Sequence, residues 1–243
     1  MKIIISTFVI FFCNILFPQN NSGLVNYSVI MPDFNYTAKG DYSLLKGVYL
    51  ASKQIRYELK FDQNGSEFAR NKALLIGVNA DEEEFMNFAE SKLTSRYKYY
   101  YNKTISKKFQ SKKSTLFESF VINWQITNES KKIDIYNCFK AIGEYQSPDR
   151  NNELRTWKVE AWFAPSLPFP YGPKFYNGLP GLILELTEKS SNIVYGVASI
   201  ELYRDDKIKV NFPKGEIISY EEYSQRVANG MNPIAKKTLE NRK

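Results

Sequence analysis

Five of the ten prolines in this chain fall between Pro165 and Pro180. Each fixes φ near −65° and removes a backbone donor, so this stretch can be neither helix interior nor central strand. It continues as Gly172-Pro173-Lys174-Phe175-Tyr176-Asn177-Gly178-Leu179-Pro180-Gly181 and runs directly into the apolar Leu182-Ile183-Leu184-Glu185-Leu186. A strongly specified backbone path launching a strand is therefore the first element of the fold. Leu179-Pro180-Gly181-Leu182 fits a type II turn, with Gly181 taking positive φ.

Around that segment, aromatic and β-branched residues alternate with polar ones, as a half-buried antiparallel sheet requires. Leu154 to Phe163 is the clearest case: Trp157, Val159, Ala161 and Phe163 share one face, while Thr156, Lys158, Glu160 and Trp162 share the other. Further strands are expected at Val25–Met31, Gln54–Phe61, Tyr97–Ile105, Thr115–Ile126, Cys138–Tyr145, Leu182–Thr187, Val194–Tyr203 and Lys207–Phe212. Turn residues such as Asp62-Gln63-Asn64-Gly65 punctuate them. Asp81–Leu93 reads as a helix with acids at its amino end and Phe85, Phe88 and Ala89 on one face. A second helix starts at Ser219, with Glu222 at capping-box spacing, and ends near Ala228.

Residues 1–18 read as a secretory leader: Lys2, an uncharged and largely apolar run from Ile3 to Phe17, then Pro18. The run is shorter than the roughly 20 residues a spanning helix needs. Residues 19–243 read as a single mostly-β domain, with the last ten or so frayed. The chain has 33 basic and 26 acidic residues, and losing the leader removes Lys2 and no acid, so the net charge falls from +7 to +6. Cys138 is then the one remaining thiol, so stability must come from apolar burial rather than a disulfide.

Gly178-Leu179-Pro180-Gly181-Leu182-Ile183 matches, letter for letter, the signature of the GLPGLI family. Further blocks agree in order: Trp124-Gln125-Ile126, Tyr136-Asn137-Cys138-Phe139-Lys140-Ala141, Ala161-Trp162-Phe163 and Gly172-Pro173-Lys174-Phe175. Over Val25 to Tyr223 the chain resembles this family of exported proteins of two-membrane bacteria, for which no catalytic residue or substrate is assigned. Where the family commonly has Gly-Tyr before the cysteine, this chain has Ile135-Tyr136-Asn137.

The chain has no histidine. That removes Ser-His-Asp and Cys-His pairs, His-bearing zinc sites and His acid–base chemistry. Cys138 would need another source of activation and fits better as a small buried strand residue. Glycoside hydrolysis needs only two acids, and Glu160 and Glu185 are the candidates for it; as polar residues of alternating strands, they fit better as outward or lysine-paired side chains. The glycine spacing of dinucleotide and phosphate-binding loops is missing. Asp81–Glu84 lacks the spaced ligands and glycine of a calcium loop, so no metal or cofactor is expected.

Lys98, Lys103, Lys107, Lys108, Lys112 and Lys113 interleave with Tyr97, Tyr99, Tyr100, Tyr101 and Phe109, a pattern that suits single-stranded nucleic acid. The leader argues against such a partner, leaving a lysine-guarded edge hairpin or attraction to an anionic membrane surface or glycan.

The expected architecture is one strongly curved antiparallel sheet with an inserted helix and a short C-terminal helix, similar in kind to the periplasmic lipoprotein carriers. The expected function is a non-enzymatic binding or assembly factor of the cell envelope, periplasmic, outer-membrane associated or secreted. Its ligand would be apolar or a glycan, or its partner a membrane protein. Phe169, Tyr171 and Phe175, held by prolines, form the expected contact loop, with Trp157 and Trp162 as further binding residues. A carboxylate hydrolase and a structural surface protein are the alternatives.

Overall fold

The computed structural model describes residues 21–31, 43–72, 80–94, 96–105, 107–112, 115–149, 153–205 and 207–229. The expected leader and the end expected to fray lie outside the described residues.

The alternating segments pair into one 12-stranded sheet. Its strands are β1 (Ser22–Ile30), β2 (Arg56–Phe61), β3 (Gly65–Arg70), β4 (Lys98–Asn102), β5 (Lys107–Lys112), β6 (Thr115–Glu118), β7 (Asn123–Ile133), β8 (Tyr136–Pro148), β9 (Leu154–Ala164), β10 (Leu182–Glu188), β11 (Ile193–Tyr203) and β12 (Ile217–Ile218). The order is β12-β6-β5-β4-β3-β2-β1-β11-β10-β9-β8-β7. All neighbours are antiparallel except the short β12–β6 pair.

This topology forces curvature. β7 is one edge of the sheet and β6 lies next to the other, yet residues 119–122 alone connect them. Ten strand spacings would span about 48 Å if flat, whereas that connection reaches at most about 18 Å. The sheet therefore curls until its two ends approach. The mostly-β, single curved sheet expected from the alternation is the observed fold.

The wrapped face carries the core: Val25, Tyr27 and Val29 of β1, Tyr57, Leu59 and Phe61 of β2, and Val159, Ala161 and Phe163 of β9. Two elements fill it. One is α2 (Ala80–Leu93), which follows α1 (Ser43–Gln54) in the chain and buries Met86, Ala89 and Leu93. The face expected from Phe85 and Phe88 is rotated, because Phe85 packs on Gly47 of α1 and Phe88 stays part-exposed. The other filler is the proline segment.

Ser219 caps α3 (Tyr220–Asn229) by accepting the Glu222 N–H at 3.1 Å, one half of the capping box read from the sequence, while the Glu222 carboxylate takes Arg226 (2.6 Å). Lys207–Phe212 is not a strand. It is an extended strap over the outer face, tied by Val210 N–H to Asp62 Oδ2 (2.9 Å) and by Phe212 packed on Tyr100. Thr115–Ile126 is broken by residues 119–122 into β6 and β7, and α1, β3 and β5 carry no pattern strong enough to be read beforehand. In α1, Gly47 and Val48 weaken the helical signal.

Candidate functional site

Three prolines of the 165–181 segment sit at the centre of tight turns. Phe169 N–H donates to Leu167 O (2.7 Å), Tyr171 N–H to Phe169 O (2.8 Å) and Gly181 N–H to Leu179 O (2.8 Å). A bond from residue i to i+2 around a fixed proline φ is the inverse γ-turn. The type II turn expected at Leu179–Leu182 does not form, because Leu182 N–H donates to Leu167 O instead (2.9 Å). The positive φ falls on Gly178 (101°), one turn earlier. Gly181 is required for a different reason: a Cβ there would lie 2.3 Å from Ala164 O.

These turns press the aromatics inward. Phe169, Tyr171 and Phe175 are 9%, 1% and 7% exposed, so the expected contact loop is part of the core. Phe169 packs 4.5 Å from Phe61, and Tyr171 O–H donates to Asp62 O (3.0 Å). Phe175 meets Tyr145, Tyr176 and Phe120. The physical reason is topological: a sheet curled this far needs its interior filled, and the nearest apolar residues are these.

The segment also brings polar groups together that no sequence spacing signals. Lys174 is held at φ 52° and its amine donates to Glu188 (2.8 Å). Tyr176 O–H donates to the same carboxylate oxygen (2.8 Å), and the Tyr145 hydroxyl lies 3.2 Å from that of Tyr176. Burial, then the Glu188 charge, drives the Tyr176 hydroxyl well above the usual phenol range. One residue on, the Asn177 carbonyl accepts Trp124 Nε1–H of β7 (3.0 Å) and Lys108 Nζ of β5 (3.4 Å). Strands from both ends of the sheet thus meet on one carbonyl beside the signature. A contact 69 residues away in sequence, such as Lys108 to Asn177, leaves no local trace.

Glu160 and Glu185 stand on the outer face, on neighbouring strands. Each is matched by lysine: Glu160 by Lys189 (2.8 Å) and Lys140 (3.4 Å), Glu185 by Lys131 (2.7 Å). Partial desolvation raises the Glu160 carboxyl, but hydrogen bonds and charge from Lys189 and Lys140 outweigh it and hold the group below its ordinary value. A glycosidase acid needs the opposite shift. Trp162 joins this outer network, with the Lys131 amine 4.4 Å from its ring centroid. Trp157 is half-buried and donates to Ser147 O (3.3 Å). The five expected binding residues are therefore not one surface.

Cys138 is buried, and desolvation raises its thiol, which leaves it a poor nucleophile. The lysine-rich hairpin lies inside the sheet between β3 and β6, not at an edge. Tyr99 and Tyr100 are buried, and Lys98 and Lys107 pair with Glu67 and Glu118, so those aromatics present no faces for stacking. Glu83, Glu84, Asn87, Phe88 and Arg96 line an open cleft of about 420 Å³ beside α2. Among the described residues, no cluster of His, Cys, Asp and Glu could hold a metal ion, and no helix is long and apolar enough to cross a membrane.

Residues 143–185 match the model of a family described as protein of unknown function (Porph_ging). That span contains β9, the whole proline segment and the signature. Comparison with curated proteins finds no match. Among solved structures, "Structure of PNGF-II in P21 space group" is similar at a TM-score of 0.49 and 13% identity, over 84% of this chain and 32% of that one. The chain thus spans about a third of that protein's length, and so loose a likeness bears on neither fold nor chemistry.

Proposed function

We propose that this chain is an exported, non-enzymatic binding or assembly factor of the cell envelope that engages a partner protein through its outer surface. The observation behind this reading is that the wrapped face is filled by the chain's own Phe169, Tyr171 and Phe175, where a carrier would hold an apolar ligand. What remains for binding is outside. One edge of the sheet is β7, and its long hairpin with β8 exposes Ile126 (51%), Ile135 (70%) and Phe139 (39%). Apolar side chains on an unpaired edge favour protein contact, by strand addition or by packing. The hydrolase alternative loses support with Glu160 and Glu185 neutralised by lysine.

Native purification from the envelope, followed by mass spectrometry of what co-purifies, tests this. A protein partner retained by the wild type and lost in Ile135→Glu or Phe139→Glu, at unchanged Tm, is the expected result. An empty, monomeric protein would overturn it.

A further inference from the structure

Other lysines of reduced exposure carry their own counter-charges: the buried Lys174 has Glu188, and the part-buried Lys140 and Lys131 have Glu129 with Glu160, and Glu185. Lys108 is half-buried and, among the described residues, has no carboxylate within ion-pair distance. Its hydrogen bond, to the Asn177 carbonyl, is long at 3.4 Å. A desolvated cation without counter-charge is unfavourable, and burial alone lowers this amine to about 8.

Asn177 is 2% exposed, and its Oδ1 is a buried acceptor with no hydrogen-bond partner. Covalent geometry keeps that atom within about 5 Å of the carbonyl that Lys108 touches. Such orphaned polar atoms are rare in native structures. An uncompensated cation and the residue that bears an unfilled acceptor therefore meet at one backbone carbonyl, which the Trp124 indole also contacts.

We propose that Lys108 and Asn177 together bind the carboxylate end of an acylated amino acid, as found at a peptide C-terminus. The carboxylate accepts from Lys108 Nζ, and the adjoining amide N–H donates to Asn177 Oδ1. A bare anion meets the first requirement and not the second, and an amine meets the second and not the first. The groups facing Lys108 leave its charge free to act. Tyr101, its partner on β4, is the titratable neighbour on that face; Glu118 of β6 is aligned with Phe109 and paired to Lys107; Trp124 and Asn177 are neutral.

The full chain is titrated with N-acetylglycine, acetate and the neutral N-acetylglycinamide while the Trp124 indole N–H is followed by NMR. N-acetylglycine is expected to give a saturable shift, acetate a weaker one and the neutral amide none. Affinity should fall about tenfold or more from about pH 6.5 to about pH 9.5, as the amine loses its proton. Lys108→Arg should keep binding. Lys108→Gln, which retains a donor for the Asn177 carbonyl but no charge, should abolish it at unchanged Tm. Equal binding of the neutral analogue, unaltered binding by Lys108→Gln, or no saturable shift would each overturn the proposal. If Lys108→Gln proves unstable, the Lys108→Arg and pH measurements decide the matter alone.

Discussion

At the scale of single residues, the signature glycines answer two different physical demands. Gly178 has open space around it but sits at φ 101°, so Gly178→Ala should cost about 1–2 kcal/mol through backbone strain. Gly181→Ala drives a Cβ into the Ala164 carbonyl, which belongs to the backbone at the end of β9 and cannot swing aside. It should cost more, about 2–3 kcal/mol, and each kcal/mol lowers Tm by about 2–4 °C in a chain of this size. Equal losses for the two variants would refute this division of roles. Lys174 and Glu188 make the same point for charge. Lys174→Met leaves a largely desolvated carboxylate whose remaining side-chain partner among the described residues is Tyr176, and should cost about 3 kcal/mol. The double variant Lys174→Met/Glu188→Gln should recover part of that, as a double-mutant cycle in denaturant would measure. None of this shows in the residue letters alone, because Lys174 and Glu188 are neighbours only once the segment has folded back on β10.

At the scale of elements, β9 was legible because alternation is set by the pleat: its inner residues Val159, Ala161 and Phe163 are those the spacing puts on one face. The α3 cap was legible for a similar reason, since a hydroxyl three residues before an amide is a local geometry. The proline segment was legible as rigid and misread as outward. Rigidity follows from ring closure, whereas direction follows from what lies behind the segment. Phe169→Ala should therefore behave as a core truncation, costing about 3–5 kcal/mol. Tyr171→Phe should cost about 1–2 kcal/mol by orphaning the Asp62 carbonyl. Unfolding midpoints would check both, and a wild-type midpoint for Phe169→Ala would return the loop to the surface. α2 shows a comparable limit: its helical period was plain, but α1 decided which of its faces is buried.

At the scale of the whole molecule, the core contains an unusual number of tyrosines, and this has a consequence in alkali. Burial raises Tyr27, Tyr57, Tyr99 and Tyr195 above the phenol range, and raises Tyr145 to about 12. A group whose folded pKa is raised keeps its proton in the native state while the unfolded chain, titrating near 10, releases it. The contribution is fully present below about pH 10 and is lost as pH rises toward 12 and beyond. Tyrosinate absorbance should therefore rise in one cooperative step with loss of native circular dichroism, and a gradual, structure-preserving titration would contradict the buried assignment. By itself the sequence determined the strand periods, the stiff proline path, the helix cap and the exclusion of histidine chemistry, because each depends on residues adjacent or nearly adjacent in the chain. Only the tertiary structure decided that the aromatics face inward, that Glu160 and Glu185 are held by lysines, and that Lys108 meets Asn177. Those outcomes depend on a 12-stranded sheet whose ends must meet across residues 119–122, and its closure settles which side chains are enclosed.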